Sequence, residues 1–283
     1  MARVVFLGTP QFACPTLEAL HAEHNVIQVV TQPDRPVGRG LRLMPSDVKA
    51  CALRLGLPVT HTIDALDADF FIVVAYGKIL SDHVLSIPKK GCLNVHGSLL
   101  PRWRGAAPIQ RAIEAGDTDI GLTIIQLVKK MDAGPMLGSV SIPMPTDATS
   151  GMMFEKLSHM APKLLLDVLE NMPPPVHQNE ALVTYAHKIE KEESILNPAQ
   201  SAKELERKVQ AFDPWPGTSI MFRDQRLLIK KARAISGSWP LGIHADQDRV
   251  ILGTSNGGLE LLSIQKEGKQ AQSQGLVRML GFS

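Results

Sequence analysis

Short apolar runs separated by amphipathic stretches set the rhythm of the first half of the chain. Val4–Leu7 and Val26–Thr31 have the length of strands, and Phe70–Ala75 is apolar without a break up to Tyr76-Gly77. Uninterrupted runs of that kind fit strands buried on both faces. Helical spacing is predicted near Phe12–Ala22 and over Ser46–Leu55, with Ser46 as N-cap ahead of Asp47. Cys92–His96 and Gly121–Val128 read as further strands, and Ser150–Glu170 as a long helix. Strands alternating with helices predict a doubly wound, mainly parallel α/β sheet over residues 1–176.

The pattern changes at Asn171-Met172-Pro173-Pro174-Pro175, which cannot be helix and favours an extended spacer. Residues 177–199 therefore read as a linker. Beyond it a helix is predicted over Ser201–Phe212, then short strands at Ser219–Phe222, Arg226–Ala234, Arg249–Gly253 and Gly258–Ile264. Turn signals such as Asn256-Gly257-Gly258 separate them. Residues 200–283 thus predict a small, OB-like β-barrel.

Composition narrows the class. The 283 residues are 44% hydrophobic and 20% charged, which excludes a disordered or fibrous chain and allows two ordinary cores. Three cysteines without a CxxC pair argue against a disulfide framework or a thiolate zinc site. The nine histidines show no zinc-ligand spacing such as HExxH, so no metal is expected. No apolar run reaches membrane-spanning length, and the N-terminus reads as a strand rather than a signal peptide; a cytoplasmic protein of bacterial type, off the membrane, is expected. Net charge is only +2, yet residues 200–283 carry 12 basic against eight acidic residues, a mild bias toward a polyanion.

The densest chemistry lies at Asn94-Val95-His96-Gly97-Ser98-Leu99-Leu100-Pro101. Two apart on a strand, Asn94 and His96 point to one face, at the carboxyl end where open α/β sheets bind ligands. An amide and an imidazole converging there can donate hydrogen bonds to a developing oxyanion. Asp132, in Lys130-Met131-Asp132-Ala133-Gly134, follows the next strand. It is either an ordinary turn aspartate or the carboxylate that orients His96, the glycine permitting the tight turn between them. A Cys92–His96 nucleophile pair fails on geometry, because four strand residues span roughly 13 Å. A dinucleotide site fails too, since Gly8-Thr9-Pro10-Gln11-Phe12-Ala13 holds one glycine where GxGxxG needs three. Finally, the loop Gln32–Pro45 carries Arg35, Arg39 and Arg42 together with Gly38 and Gly40, with no acid after Asp34. That composition suits a flexible hook for a polyanion, or simply a solvated basic loop.

The Asn-x-His-Gly-Ser-Leu-Leu-Pro segment at 94–101, with Asp132 in a Met-Asp-Ala-Gly turn, resembles the folate-dependent formyltransferases. The stretch from His96 to Gln110 is similar to the branch that acts on methionyl-tRNA. So are Phe6–Pro10, Thr31–Gly40, Val74–Gly77 and Phe212–Gly217, so the likeness runs in order through both halves. The resemblance implies 10-formyltetrahydrofolate as donor, with no metal, and the amino group of initiator methionyl-tRNA as acceptor. It implies Asn94, His96 and Asp132 as the catalytic set. It places folate against Ser98, Leu99, Leu100 and Pro101, near Ala75, Tyr76 and Gly77. It also implies tRNA contacts from the barrel, the linker and the Arg35, Arg39 and Arg42 loop. A monomer is expected. Two other readings stay open: a formyltransferase of this fold acting on a small amine (a nucleotide sugar or glycinamide ribonucleotide), and a non-catalytic tRNA-binding protein.

Overall fold

In the computed structural model, which describes residues 1–37, 41–63 and 67–282, the apolar runs of the first half become strands. In chain order they are β1 (Arg3–Gly8), β2 (Asn25–Val30), the hairpin β3 (Arg35–Val37) and β4 (Arg42–Met44), β5 (Val59–Thr60), β6 (Phe70–Val74), β7 (Cys92–His96), β8 (Arg104–Gly105), β9 (Asp119–Gln126), β10 (Met136–Pro143) and β11 (Tyr185–Ala186). The helices are α1 (Cys14–Glu23), α2 (Asp47–Arg54), α3 (Asp82–Leu85), α4 (Pro108–Ala115) and α5 (Ser150–Asn171). Seven strands form one sheet in the order β10-β9-β7-β6-β1-β2-β5. From β5 to β7 every pairing is parallel, and β9 runs antiparallel to β7.

Every residue of β6 is buried. Val5, Leu7, Phe71 and Val73 pack in one cluster with Tyr76 and Cys92. The alternate residues Val4, Phe6, Phe70 and Ile72, equally buried, cover the opposite face. The chain lays β2 and β5 to one side of β1, then reverses to add β6 and β7 on the other. A reversal of strand order opens a crevice beyond the carboxyl ends of the flanking strands. Ser46 caps α2 by accepting from the Lys49 amide, as its position before Asp47 predicts.

The second half adds α6 (Ala202–Ala211), β12 (Thr218–Phe222), β13 (Gln225–Ile235), β14 (Gly242–Asp246), β15 (Arg249–Gly253), β16 (Gly258–Lys266) and α7 (Leu276–Met279). The five strands are antiparallel neighbours in the order β12-β13-β16-β15-β14. They curl around one core, in which Leu227, Leu252 and Leu259 meet Leu205 and Val209 of α6 and Leu276 of α7. Ser201 and Glu204 form a capping box at the start of α6.

The described residues fall into two compact units that do not follow chain order: Met1–Pro108, Asp119–Ile142 and Phe154–Ala186 in one, Ile109–Thr118, Pro143–Met153 and His187–Ser283 in the other. Residues 109–118 and 143–153, expected with the sheet, instead belong with the C-terminal strands. Arg207 Nη1 donates to the Ala115 carbonyl, and the Gly151 amide donates to that of Asp213. Residues 178–186, expected as linker, are tied into the first unit, where β11 pairs with β8. Several elements, among them β10, β14 and α4, had no strong periodicity to announce them. Strand β10 has one buried position among half-exposed and exposed ones, β14 is Gly-Ile-His-Ala-Asp, and α4 has only eight residues. Among the described residues no helix is long and apolar enough to cross a membrane.

Candidate active site

Strand β7 runs parallel to β6 and so brings Asn94 and His96 to the carboxyl edge of the sheet. Register aligns Asn94 with Val73 on the β6 side and Ile125 on the β9 side. Asn94 is half-buried, and among the described residues nothing hydrogen-bonds its carboxamide. His96 is 5% exposed. Its Nε2 lies 2.8 Å from the Trp103 carbonyl oxygen, which can only accept, so Nε2 carries a hydrogen. The other ring nitrogen, Nδ1, stands 3.7 Å from Asp132 Oδ1. That is an ion-pair separation rather than a hydrogen bond. Asp132 Oδ2 accepts from the Gly105 amide at 2.9 Å.

The turn that carries Asp132 works differently from the sequence expectation. Asp132 itself occupies the left-handed region, at φ +48°, a conformation Asp tolerates better than most residues. Gly134 is required for another reason: a Cβ there would collide with the Gln126 carbonyl oxygen. Ala75 and Trp103 also sit at positive φ, +47° and +66°. Non-glycine residues held this way are costly, and they gather at functional sites.

The residues expected to line a ligand are spread over the same edge. Ala75 and Gly77 are exposed just past β6, while Tyr76 is buried with its carbonyl accepting from Thr9 Oγ1 and Gln32 Nε2. Ser98 and Leu100 are buried, and the Ser98 hydroxyl is engaged by the Arg102 carbonyl at 2.7 Å. Leu99 and Pro101 are half-buried. The arginine loop leaves β2 at this edge and forms the β3–β4 hairpin, where Arg35 faces Met44 and Val37 faces Arg42. Asp34 pairs with Lys49, and among the described residues neither Arg35 nor Arg42 has an acidic partner. Arg39, Gly38 and Gly40 lie outside the described residues.

Cys92 is buried, with its thiol pushed up to about 12 by desolvation, which leaves it inert at neutral pH. Among the described residues no cluster of His, Cys, Asp and Glu could hold a metal ion. Sequence reading missed the groups behind Asp132: the fully buried Arg104, with Gln178 and Glu180 beside it. Their partners lie 74 and 76 residues apart in the chain, a distance no local pattern reports. Arg104 and Lys130 together hold the Glu180 carboxyl down to about 2.

A profile described as formyl transferase matches residues 2–169, and one described as its C-terminal domain matches residues 188–275. The chain belongs to the formyl transferase family. The fold recurs in family structures of low identity. HypX from Aquifex aeolicus, in complex with tetrahydrofolic acid, superposes with a TM-score of 0.61 at 21% identity over 99% of this chain and 47% of its own. This chain thus spans about half of HypX. The N-formyltransferase from Helicobacter canadensis, in complex with folinic acid and dTDP-3-aminofucose, gives 0.71 at 16% over 94% and 100%. Methionyl-tRNA formyltransferase from Clostridium thermocellum gives 0.60 at 14% over 94% and 99%.

Proposed function

We propose that this chain transfers the formyl group of 10-formyltetrahydrofolate to the amino group of initiator methionyl-tRNA. The observation that carries the chemistry is the unpartnered Asn94 carboxamide beside a His96–Asp132 pair at the open edge of the sheet. An edge lined by a half-buried amide, a buried imidazole and a half-buried carboxylate suits addition of an amine to a carbonyl carbon. The folate site is assigned to Ser98, Leu99, Leu100 and Pro101 with Ala75, Tyr76 and Gly77. The tetrahydrofolic acid of HypX and the folinic acid of the Helicobacter enzyme support a folate as the donor.

The donor supplies an activated formyl group on nitrogen. Asn94 donates its N–H to the formyl oxygen as that oxygen gains charge. His96 Nε2 is already engaged with Trp103, so its contribution comes from the Nδ1 edge. An imidazolium there is countered by the Asp132 carboxylate. Asp132 also takes the proton that the attacking amine releases and returns it, through water, to the departing nitrogen. No proton is gained or lost overall, and no acyl-enzyme forms.

The tRNA acceptor rests on the hairpin and the C-terminal unit. Arg35 and Arg42 are exposed and unpartnered among the described residues, on a loop leaving the edge that holds Asn94. Arg39 is assigned with them. The deciding experiment offers the protein 10-formyltetrahydrofolate with methionyl-tRNA, dTDP-3-aminofucose or glycinamide ribonucleotide in parallel. Transfer to methionyl-tRNA is expected. Transfer confined to a small amine overturns the acceptor, and tRNA binding without any transfer overturns the catalytic reading.

A further inference from the structure

Among the described residues Arg104 is the largest side chain with no solvent exposure. A buried guanidinium is expensive unless paired. Its Nε donates to Gln178 Oε1 at 2.9 Å and its Nη2 to Glu180 Oε1 at 2.8 Å. Because the cation claims the Gln178 oxygen, the amide nitrogen must point the other way. There Nε2 donates to the carbonyls of Asp132 at 2.7 Å and Gly134 at 2.8 Å. Arg104 thus dictates which end of Gln178 meets the turn that carries Asp132.

The same segment also grips the chain beside His96. The Trp103 amide donates to Thr184 Oγ1 at 2.9 Å, and the Arg104 amide to the Thr184 carbonyl at 2.9 Å. Gly105 comes so near that a Cβ would lie 2.6 Å from the Ala186 carbonyl oxygen. Trp103 and Gly105 are the two residues whose backbone groups bond His96 Nε2 and Asp132 Oδ2. Residues 178–186 therefore form a strap across both supports of the pair.

We propose that Gln178, oriented by Arg104, is a positioning residue that sets the Asp132 carboxylate against His96. The kinetic consequence rests on the proposed formyl transfer; the geometric one stands by itself. Gln178→Met removes both amide functions at nearly constant volume. Gln178→Glu keeps an acceptor for Arg104 and protects the fold, but turns an oxygen toward the two turn carbonyls. In both variants kcat is expected to fall about 10- to 100-fold, with KM for 10-formyltetrahydrofolate within twofold, as small misplacements of reacting groups do. The Gly105 amide, which bonds Asp132, is expected to exchange its hydrogen about tenfold faster or more in both, while amides of β1 and β6 keep their rates. Unchanged Gly105 exchange in a folded variant overturns the proposal. So does faster exchange spread evenly over β1 and β6, which marks a general loss of stability. Failure of the wild-type protein to transfer formyl would sink the catalytic reading alone, and the exchange rates would still decide the strap.

Discussion

In the proposed reaction Asn94, His96 and Asp132 contribute through different physical terms, so their substitutions carry different signatures. Asn94 offers a donor that nothing among the described residues uses, and its value arises only when charge appears on a substrate oxygen. Asn94→Ala is expected to lower kcat on the order of 10²–10³-fold with little change in thermal stability. Asn94→Ala combined with His96→Ala is expected to cost far less than the product of the two single losses, because the groups act as a unit. Steady-state kinetics on the three variants checks this. Asp132→Asn keeps the shape of the turn but loses the charge facing His96, so folate affinity is expected to persist while turnover collapses. Near-normal turnover would remove Asp132 from the mechanism. Glu180 adds a pH signature: its carboxyl is held at about 2, below the ordinary carboxylate value, by Arg104 and Lys130. A depressed carboxylate contributes stability that is present above the unfolded value and lost as pH falls toward the folded one. Wild type is expected to melt higher than Glu180→Gln at neutral pH, with the gap closing between the ordinary carboxylate value and about 2. Melting curves of both proteins across that acid range test it; a gap independent of pH would refute the assignment.

At the scale of elements, caps and hairpins do most of the specifying. The Ser201–Glu204 capping box starts α6, whose Leu205 and Val209 enter the C-terminal core. Ser201→Ala is expected to cost about 1 kcal/mol, read as a lower unfolding midpoint in denaturant. The β3–β4 hairpin behaves differently, since Leu41, Leu43 and Met44 are largely exposed and it buries little of its own. Its two described arginines have no acidic partner among the described residues, so Arg42→Ala is expected to leave the melting temperature unchanged. Affinity for methionyl-tRNA is expected to fall, with the slope of log affinity against log salt reduced by about one. Measuring binding across a salt series decides the matter, and an unchanged slope would make the hairpin an ordinary solvated surface.

For the whole molecule, chain order is a poor guide to where a cut can be made. A break near Gln178, just past the end of the first domain that the sequence pattern puts at residue 176, severs the strap that bonds residues 103–106 and the Asp132 turn. A break after Ala186 preserves the strap but strips residues 109–118 and 143–153 of the C-terminal segments they pack with. The fragment 1–186 is therefore expected to melt roughly 10 °C or more below the full chain. A fragment as stable as the parent would show that those two segments gain little from the second unit.

Legibility followed the range of the forces involved. Strand β7 was readable to its last residue, and β6 and α5 nearly so, because burial on both faces or a long apolar stripe leaves a local period. Asn94 and His96 sharing a face follows from the two-residue repeat alone. The edge strand β10 and the short β14 escaped because half-exposed strands carry little apolar signal. Which unit α4 joins, and the burial of Arg104 among glutamine and glutamate more than seventy residues away, are set by long-range packing. The sequence by itself determined the alternation of elements and the family, and it singled out Asn94, His96 and Asp132 as the candidate set, since each is marked by its immediate neighbours. Only the tertiary structure decided that part of the supposed linker bonds residues 103–106 and the Asp132 turn, and that the Trp103 carbonyl engages His96 Nε2, because hydrogen bonds between distant segments leave no trace in local pattern.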